Sequence, residues 1–302
     1  MDNVKTQGKP SFLGRILKSE MLYNFKHNLP AIIGTIIFLT TVIVAIIGPN
    51  FTPQDPYNMA ELSISNSYLP PFWAEGGSTE FLLGTDTQGR DIFSAIVYGS
   101  RISLFIGITA MSISCIIGTV LGLISGYYGG IIDDIIMRII DIQLSFPTTL
   151  LAIFIMTIFG RGIDKIIFAL ILVGWVSYAR TVRGEVLGVK NKEYVDAGRT
   201  IGLPDRIIMF KHILPNVLTS VVVLSTIQVG SFILTEATLS FLGVGVEISK
   251  PSLGLLVKNG FDVMFSGLWW VSFFPGLYIM LIVFGINLLG DFLRDELNPR
   301  LK

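Results

Sequence analysis

The segment Glu193-Tyr-Val-Asp-Ala-Gly-Arg-Thr-Ile-Gly-Leu-Pro-Asp-Arg-Ile-Ile-Met-Phe-Lys-His-Ile-Leu-Pro-Asn216 decides how the rest of the chain is read. It is a charged, amphipathic island between two strongly apolar segments. Asn191 is placed to cap a short helix, and Gly202 to end it in the left-handed conformation that glycine adopts without steric cost. Pro204 and Asp205 suit the first turn of a second short helix, which Pro215 is expected to stop. On the first helix Tyr194, Ala197, Gly198 and Ile201 share one face, with Glu193, Asp196 and Arg199 elsewhere. So small a helix–turn–helix cannot bury its own apolar side. It must lean on a membrane domain, on another protein, or on both.

Composition supplies the membrane. The 302 residues are 51% hydrophobic and only 15% charged, with a mean hydropathy of +0.68, whereas soluble domains carry about 25% charged residues. A net charge of zero argues against nucleic-acid binding. The single cysteine, Cys115, lies inside an apolar run and reads as a small core residue.

Working outward gives an all-α integral membrane protein with six transmembrane helices, both termini cytoplasmic and the island between spans four and five. Residues 1–28 carry Lys5, Lys9, Arg15, Lys18 and Lys26 against Asp2 and Glu20, a cytoplasmic tail by the positive-inside rule. Residues 29–48 form the first span, an apolar run that crosses about 30 Å as a helix and reads as an uncleaved anchor. Residues 49–100 are an acidic extracytoplasmic loop, in which Leu83-Gly-Thr-Asp-Thr-Gln-Gly-Arg-Asp91 reads as an ordered turn. Residues 101–290 hold the remaining five spans, from about 102–124, 139–159, 166–179, 217–241 and 269–289. The 126–138 link turns the chain on the inner side, and Pro147 should kink the third span. The fourth reaches across only if Lys165 and Arg180 snorkel. Arg180, Arg183, Lys190, Lys192, Arg199, Arg206 and Lys211 place the 191–216 island in the cytoplasm, and 291–302 is a charged cytoplasmic tail.

No catalytic set emerges. His27 and His212 lack metal-ligand spacing, and no Gly-rich phosphate loop is present, so no cofactor is expected on this chain. His212 reads as an interface or capping residue. Arg180 and Arg183 share a helical face where phospholipid headgroups suffice as partners. Arg138 and Asp141, at the same spacing, read as an intrahelical ion pair. Glu236, near the outer end of span five, either faces a water-filled path or reaches the outer interface; with Gln228 and Ser231 it marks a candidate translocation path.

The island resembles the cytoplasmic EAA loop of permease subunits from binding-protein-dependent ABC importers, whose pattern is Glu-Ala-Ala, three residues, Gly, nine residues, Ile-x-Leu-Pro. Asp196-Ala197-Gly198 stand for the triplet, Gly202 follows after three residues, His212 takes the isoleucine position, and Leu214-Pro215 close the pattern. Elsewhere Leu83-Gly-Thr-Asp86 with Gly89-Arg-Asp91, Arg138-Ile-Ile-Asp141 with Phe146-Pro147, Leu239-Ser-Phe-Leu-Gly243, and Asn287-Leu-Leu-Gly-Asp291 with Leu293-Arg-Asp295 and Asn298-Pro-Arg300 are similar to the dipeptide/oligopeptide/nickel group, C-type subunit. Pro251-Ser-Leu-Gly254 puts leucine where that group usually has tryptophan.

The resemblance implies a permease that pairs with a homologous permease, two cytoplasmic ATPase subunits that bind ATP and Mg, and an extracytoplasmic receptor for peptides. In it Glu193, Tyr194, Asp196, Ala197, Gly198, Gly202, Arg206, His212 and Pro215 form the coupling surface, while Arg138, Asp141 and Pro147 are structural. Nickel or a nickel chelate is the alternative cargo. An ion-gradient-driven secondary transporter would need several intramembrane acids, few of which are present.

Overall fold

The computed structural model describes residues 20–297 apart from 248 and 251. Residues 1–19 and 298–302, with most of the basic amino-terminal tail and the Asn298-Pro-Arg300 pattern, lie outside it, as does Pro251. The helices are α1 (Glu20–His27), α2 (Leu29–Ile47), α3 (Ile92–Tyr128), α4 (Gly130–Leu144), α5 (Thr148–Phe159), α6 (Ile163–Val189), α7 (Glu193–Thr200), α8 (Asp205–Ile207), α9 (Leu214–Phe241), α10 (Leu253–Met264) and α11 (Trp270–Leu297). A π-helical turn, Ile208–Ile213, joins α8 to α9. Among the described residues, Leu29–Asn50, Ile92–Tyr128, Ile163–Val189, Asp205–Phe241 and Trp270–Leu297 are five helices long and apolar enough to cross a membrane, or up to six counting the bent α4–α5 pair as one.

α3 packs most extensively on α6, and three glycines allow it. A Cβ on Gly118, Gly122 or Gly126 would lie 2.4 Å from the Trp175 carbonyl oxygen, 2.4 Å from that of Ala179 and 2.8 Å from Val186 Cβ, respectively. In a membrane, where apolar side chains gain little from leaving lipid for one another, such close backbone approach is what holds helices together.

Several spans differ from expectation. α3 starts at Ile92, not near 102, because the Asp91 side chain accepts the Ser94 N–H at 2.8 Å and the Ser94 hydroxyl at 2.5 Å, a strong amino-terminal cap. The inner link shrinks to a corner at Gly129 and Gly130, both at positive φ. Pro147 does more than kink the third span: α4 and α5 meet at 89°, since proline has no N–H and pushes Phe146 out of helical conformation. α6 runs 27 residues, not 14. Lys165 and Arg180, expected at its ends, both lie within the helix, and beyond Arg180 the charges are partnered: Arg183 by Asp133, Glu185 by Ser220. α10 lies within what reads as an outer loop, burying Leu253, Leu255 and Leu256. α11 extends through Asp291 to Leu297, so the expected tail begins as helix.

At the end of the bundle opposite α7, residues 83–91 form a buried knot. The Thr85 hydroxyl accepts the Leu69 N–H at 2.8 Å and donates to the Asn66 carbonyl at 2.5 Å. Asp86 Oδ1 accepts the N–H groups of Gln88 and Arg90 at 2.8 and 3.0 Å, and the Trp270 indole donates to the Thr85 carbonyl at 3.4 Å. Burial nevertheless raises both the Asp86 and Asp91 carboxyls above the usual carboxylate range.

Gly122→Leu should force α3 from α6, lowering the thermal unfolding midpoint in detergent by about 5 °C. Gly184→Ala, with nothing within 4 Å of its added methyl, should not lower the midpoint.

Candidate functional site

The island forms at the carboxy-terminal ends of α3 and α6 and the amino-terminal end of α9. Lys192, not Asn191, occupies the cap position of α7, and its side chain makes no capping bond; Glu193 and Asp196 instead place negative charge at the positive end of the helix. Gly202 ends the helix as expected, at φ +78°. The Gly202 N–H donates to the Arg199 carbonyl and the Leu203 N–H to the Gly198 carbonyl, each at 3.0 Å, a Schellman arrangement that fixes the corner between α7 and α8.

The inward face of α7 is narrower than its pattern suggests. Val195 and Gly198 are buried, packing with Leu123, Tyr127, Val186, Ile208, Ile213 and Val217 from α3, α6, the π turn and α9 or with the neighbouring Leu203. Of the four residues expected to share one face, only Gly198 is buried in this chain. Tyr194 is 40% exposed, Ile201 75%, and Ala197 is open as well. They leave an apolar stripe on α7 uncovered, flanked by exposed Glu193 and Asp196, and Arg206, Ile207 and Phe210 are exposed further along the island. Val195 escapes a pattern search because one valine among charges carries no periodicity.

Pro215 does not stop a helix. The chain runs on from Asp205 to Phe241, and the π turn takes up the missing N–H. Asn216 Nδ2 donates to the His212 carbonyl at 2.7 Å, supplying a donor beside the proline. His212 itself is half-buried.

Polar contacts tie this corner to the bundle. The Tyr127 hydroxyl donates to Asp205 Oδ1 at 2.6 Å, and the Arg199 guanidinium, paired with Asp196 at 3.0 Å, lies 5.4 Å from the Tyr127 ring centre. Arg183 grips Asp133 with Nε at 2.5 Å and Nη2 at 2.6 Å, so protein, not lipid, holds this arginine. The Ser125 hydroxyl also donates to Asp133 at 2.5 Å, and Lys190 Nζ donates to the Gly126 carbonyl at 3.0 Å. Sequence reading missed Asp133 and Tyr127 as partners; the Asp133–Asp134 pair beside basic α6 was the available signal.

Other expected site residues fall apart. Arg138 and Asp141 are both exposed on α4 and form no ion pair at 4 Å or less. Glu236 faces neither a water-filled path nor the outer interface. It is 0% exposed, accepting the Ser103 and Ser240 hydroxyls at 2.7 Å each, while Ser252 donates to Ser240 at 3.2 Å. Gln228 is half-buried and Ser231 exposed on another side of α9. Among the described residues no group of three or more His, Cys, Asp or Glu is arranged to hold a metal ion.

The match to known proteins covers this corner and the helices that hold it. Residues 118–302 match the binding-protein-dependent transport system inner membrane component family, and residues 17–71 match the N-terminal transmembrane domain of oligopeptide transport permease C. The chain belongs to this permease family. It is 41% identical over 283 residues to the dipeptide transport system permease protein of Haemophilus influenzae, covering 94% of this chain and 95% of that one. The oligopeptide transport system permease protein of Bacillus subtilis is 39% identical over 95% of this chain and 90% of its own length. A glutathione transport system permease protein of Pectobacterium atrosepticum is 39% identical, covering 94% of this chain and 91% of that one.

In this permease the Asp133–Arg183 contact should behave as one unit. Asp133→Asn and Arg183→Gln should each destabilise the protein, and the double variant should lose less than their sum by about 1–2 kcal/mol, read from a double-mutant cycle of unfolding.

Proposed function

We propose that this chain is the C-type permease subunit of an ATP-driven, binding-protein-dependent importer of dipeptides or oligopeptides in a bacterial cytoplasmic membrane. It forms one half of the translocation path beside a homologous permease. Six spans are counted with α4 and α5 as one, and both termini lie in the cytoplasm. The positive-inside bias of Lys190, Lys192, Arg199, Arg206 and Lys211 supports that orientation. The printed names of the similar proteins, dipeptide and oligopeptide permeases, favour peptide over nickel.

The observation that carries the reading is the island itself. It presents an apolar stripe, Tyr194–Ala197–Ile201, that this chain leaves open, on a corner rigidly bonded to three spans. Two ATPase subunits bind and hydrolyse ATP; this chain does no chemistry and holds no cofactor. Their closure pushes on α7, with Tyr194 and Ile201 as apolar anchors and Glu193, Asp196 and Arg206 as charged keys. The push travels through the Gly202 corner to α8 and α9, and through Tyr127–Asp205 to α3, rocking the spans between inward- and outward-facing forms. An extracytoplasmic receptor delivers the peptide at the other end.

Gly202→Val tests this directly, because a β-branched residue resists φ +78° while meeting no neighbour within 4 Å. The variant should reach the membrane at wild-type level, with weaker co-purification of the ATPases and loss of peptide-stimulated ATP hydrolysis. Wild-type values for both would defeat the coupling role.

A further inference from the structure

Two arginines three residues apart on α6 have opposite surroundings. Arg183 is clamped by Asp133. Arg180 is exposed and, among the described residues, has no acid within ion-pair distance. It stands 17 residues after Ile163, where α6 begins, about 25 Å along the helix, within the stretch Ile163–Val189 that is long and apolar enough to cross a membrane. An intramembrane charge without a protein partner is costly unless it lines a polar path or meets a ligand.

Arg180 does line a cavity, a groove of about 390 Å³ walled by Leu144, Val176, Ser177, Arg180 and Thr181. Its shape is held by Gln143, whose amide donates to the Leu172 and Val173 carbonyls at 2.9 and 3.2 Å. That contact pins the last turn of α4 against α6, just before the bend at Pro147. The exposed face of α6 changes character here. Phe168 and Leu172 suit lipid tails, whereas Ser177 and Arg180 beyond them do not, before Leu187 is exposed on the same face.

We propose that this groove receives the C-terminal carboxylate of the transported peptide, with Arg180 as the binding residue; this rests on the peptide-import reading above. A guanidinium binds a carboxylate through two parallel N–H···O bonds, and the Ser177 and Thr181 hydroxyls offer further donors on the same wall. The volume is within the range of small-ligand pockets. Every linear peptide carries the same terminal carboxylate, so one arginine recognises cargo of varied sequence.

The test uses the complete transporter, with both permeases, both ATPases and receptor, in vesicles. Receptor is pre-loaded with a dipeptide or with its C-terminal amide, and uptake is measured at saturating loaded receptor. Arg180→Gln should slow uptake of the free acid about tenfold and leave the amide unchanged. Arg180→Lys, which keeps the charge without the fork, should give an intermediate acid-to-amide ratio and serves should the glutamine variant fail to fold. An unchanged ratio in either variant overturns the assignment. Equal loss for acid and amide that disappears in vesicles lacking anionic lipid also overturns it, assigning Arg180 to headgroups. Wild-type vesicles that import neither peptide would overturn the peptide reading, and this inference with it.

Discussion

The close approach of α3 and α6 sets the positions of nearly everything else. Because Gly118, Gly122 and Gly126 offer no side chain, the two backbones run together over two turns of helix. That contact puts Asp133 against Arg183, Lys190 against the Gly126 carbonyl, and the Tyr127 hydroxyl where α8 can meet it through Asp205. Widening the gap by one methyl group would disturb all three contacts at once. The island is therefore mounted on the most extensive helix contact in the bundle, which suits the coupling role proposed for it.

The mounting is apolar as well as polar. Val195 on α7 and Ile208, Met209 and Ile213 on the π turn sink into one cluster with Tyr178, Val182 and Val186 of α6. The π turn also resolves the conflict at Pro215. A regular helix would lose a bond and clash there, whereas a wider turn lets α9 continue unbroken from the island to the far end of the bundle. In the proposed coupling, a push on α7 would pass the Gly202 corner and enter one continuous helix, Asp205–Phe241.

The sequence showed what depends on local rules and concealed what depends on distant partners. Gly202 was legible because only glycine sits easily at positive φ after a short helix. The apolar runs were legible from composition. The full length of α6 was not, because Lys165 and Arg180 interrupt the apolar run, and the charges that follow, Arg183 and Glu185, look like cytoplasmic loop until Asp133 and Ser220 are seen beside them. Glu236 misled for the same reason: three serines from α3, α9 and the start of α10 enclose it, and none is near enough in sequence to mark the cage except Ser240. α10 hid inside a loop with Pro251 at its edge, although Leu253 and Leu256 carry a helical spacing. Arg138 and Asp141 had ideal spacing for a pair, yet both stay exposed on α4, so spacing permits such a pair without compelling it.

The account turns on what covers the stripe at Tyr194, Ala197 and Ile201. Ile201→Cys in a Cys115→Ser background, within the assembled transporter, offers a direct measurement. A short bifunctional thiol reagent added to the complex should link this position to an ATPase subunit, and the yield should change when ATP is bound. A cysteine at 201 that reacts freely with a bulky soluble thiol reagent in the full complex, and links to nothing, would contradict the account.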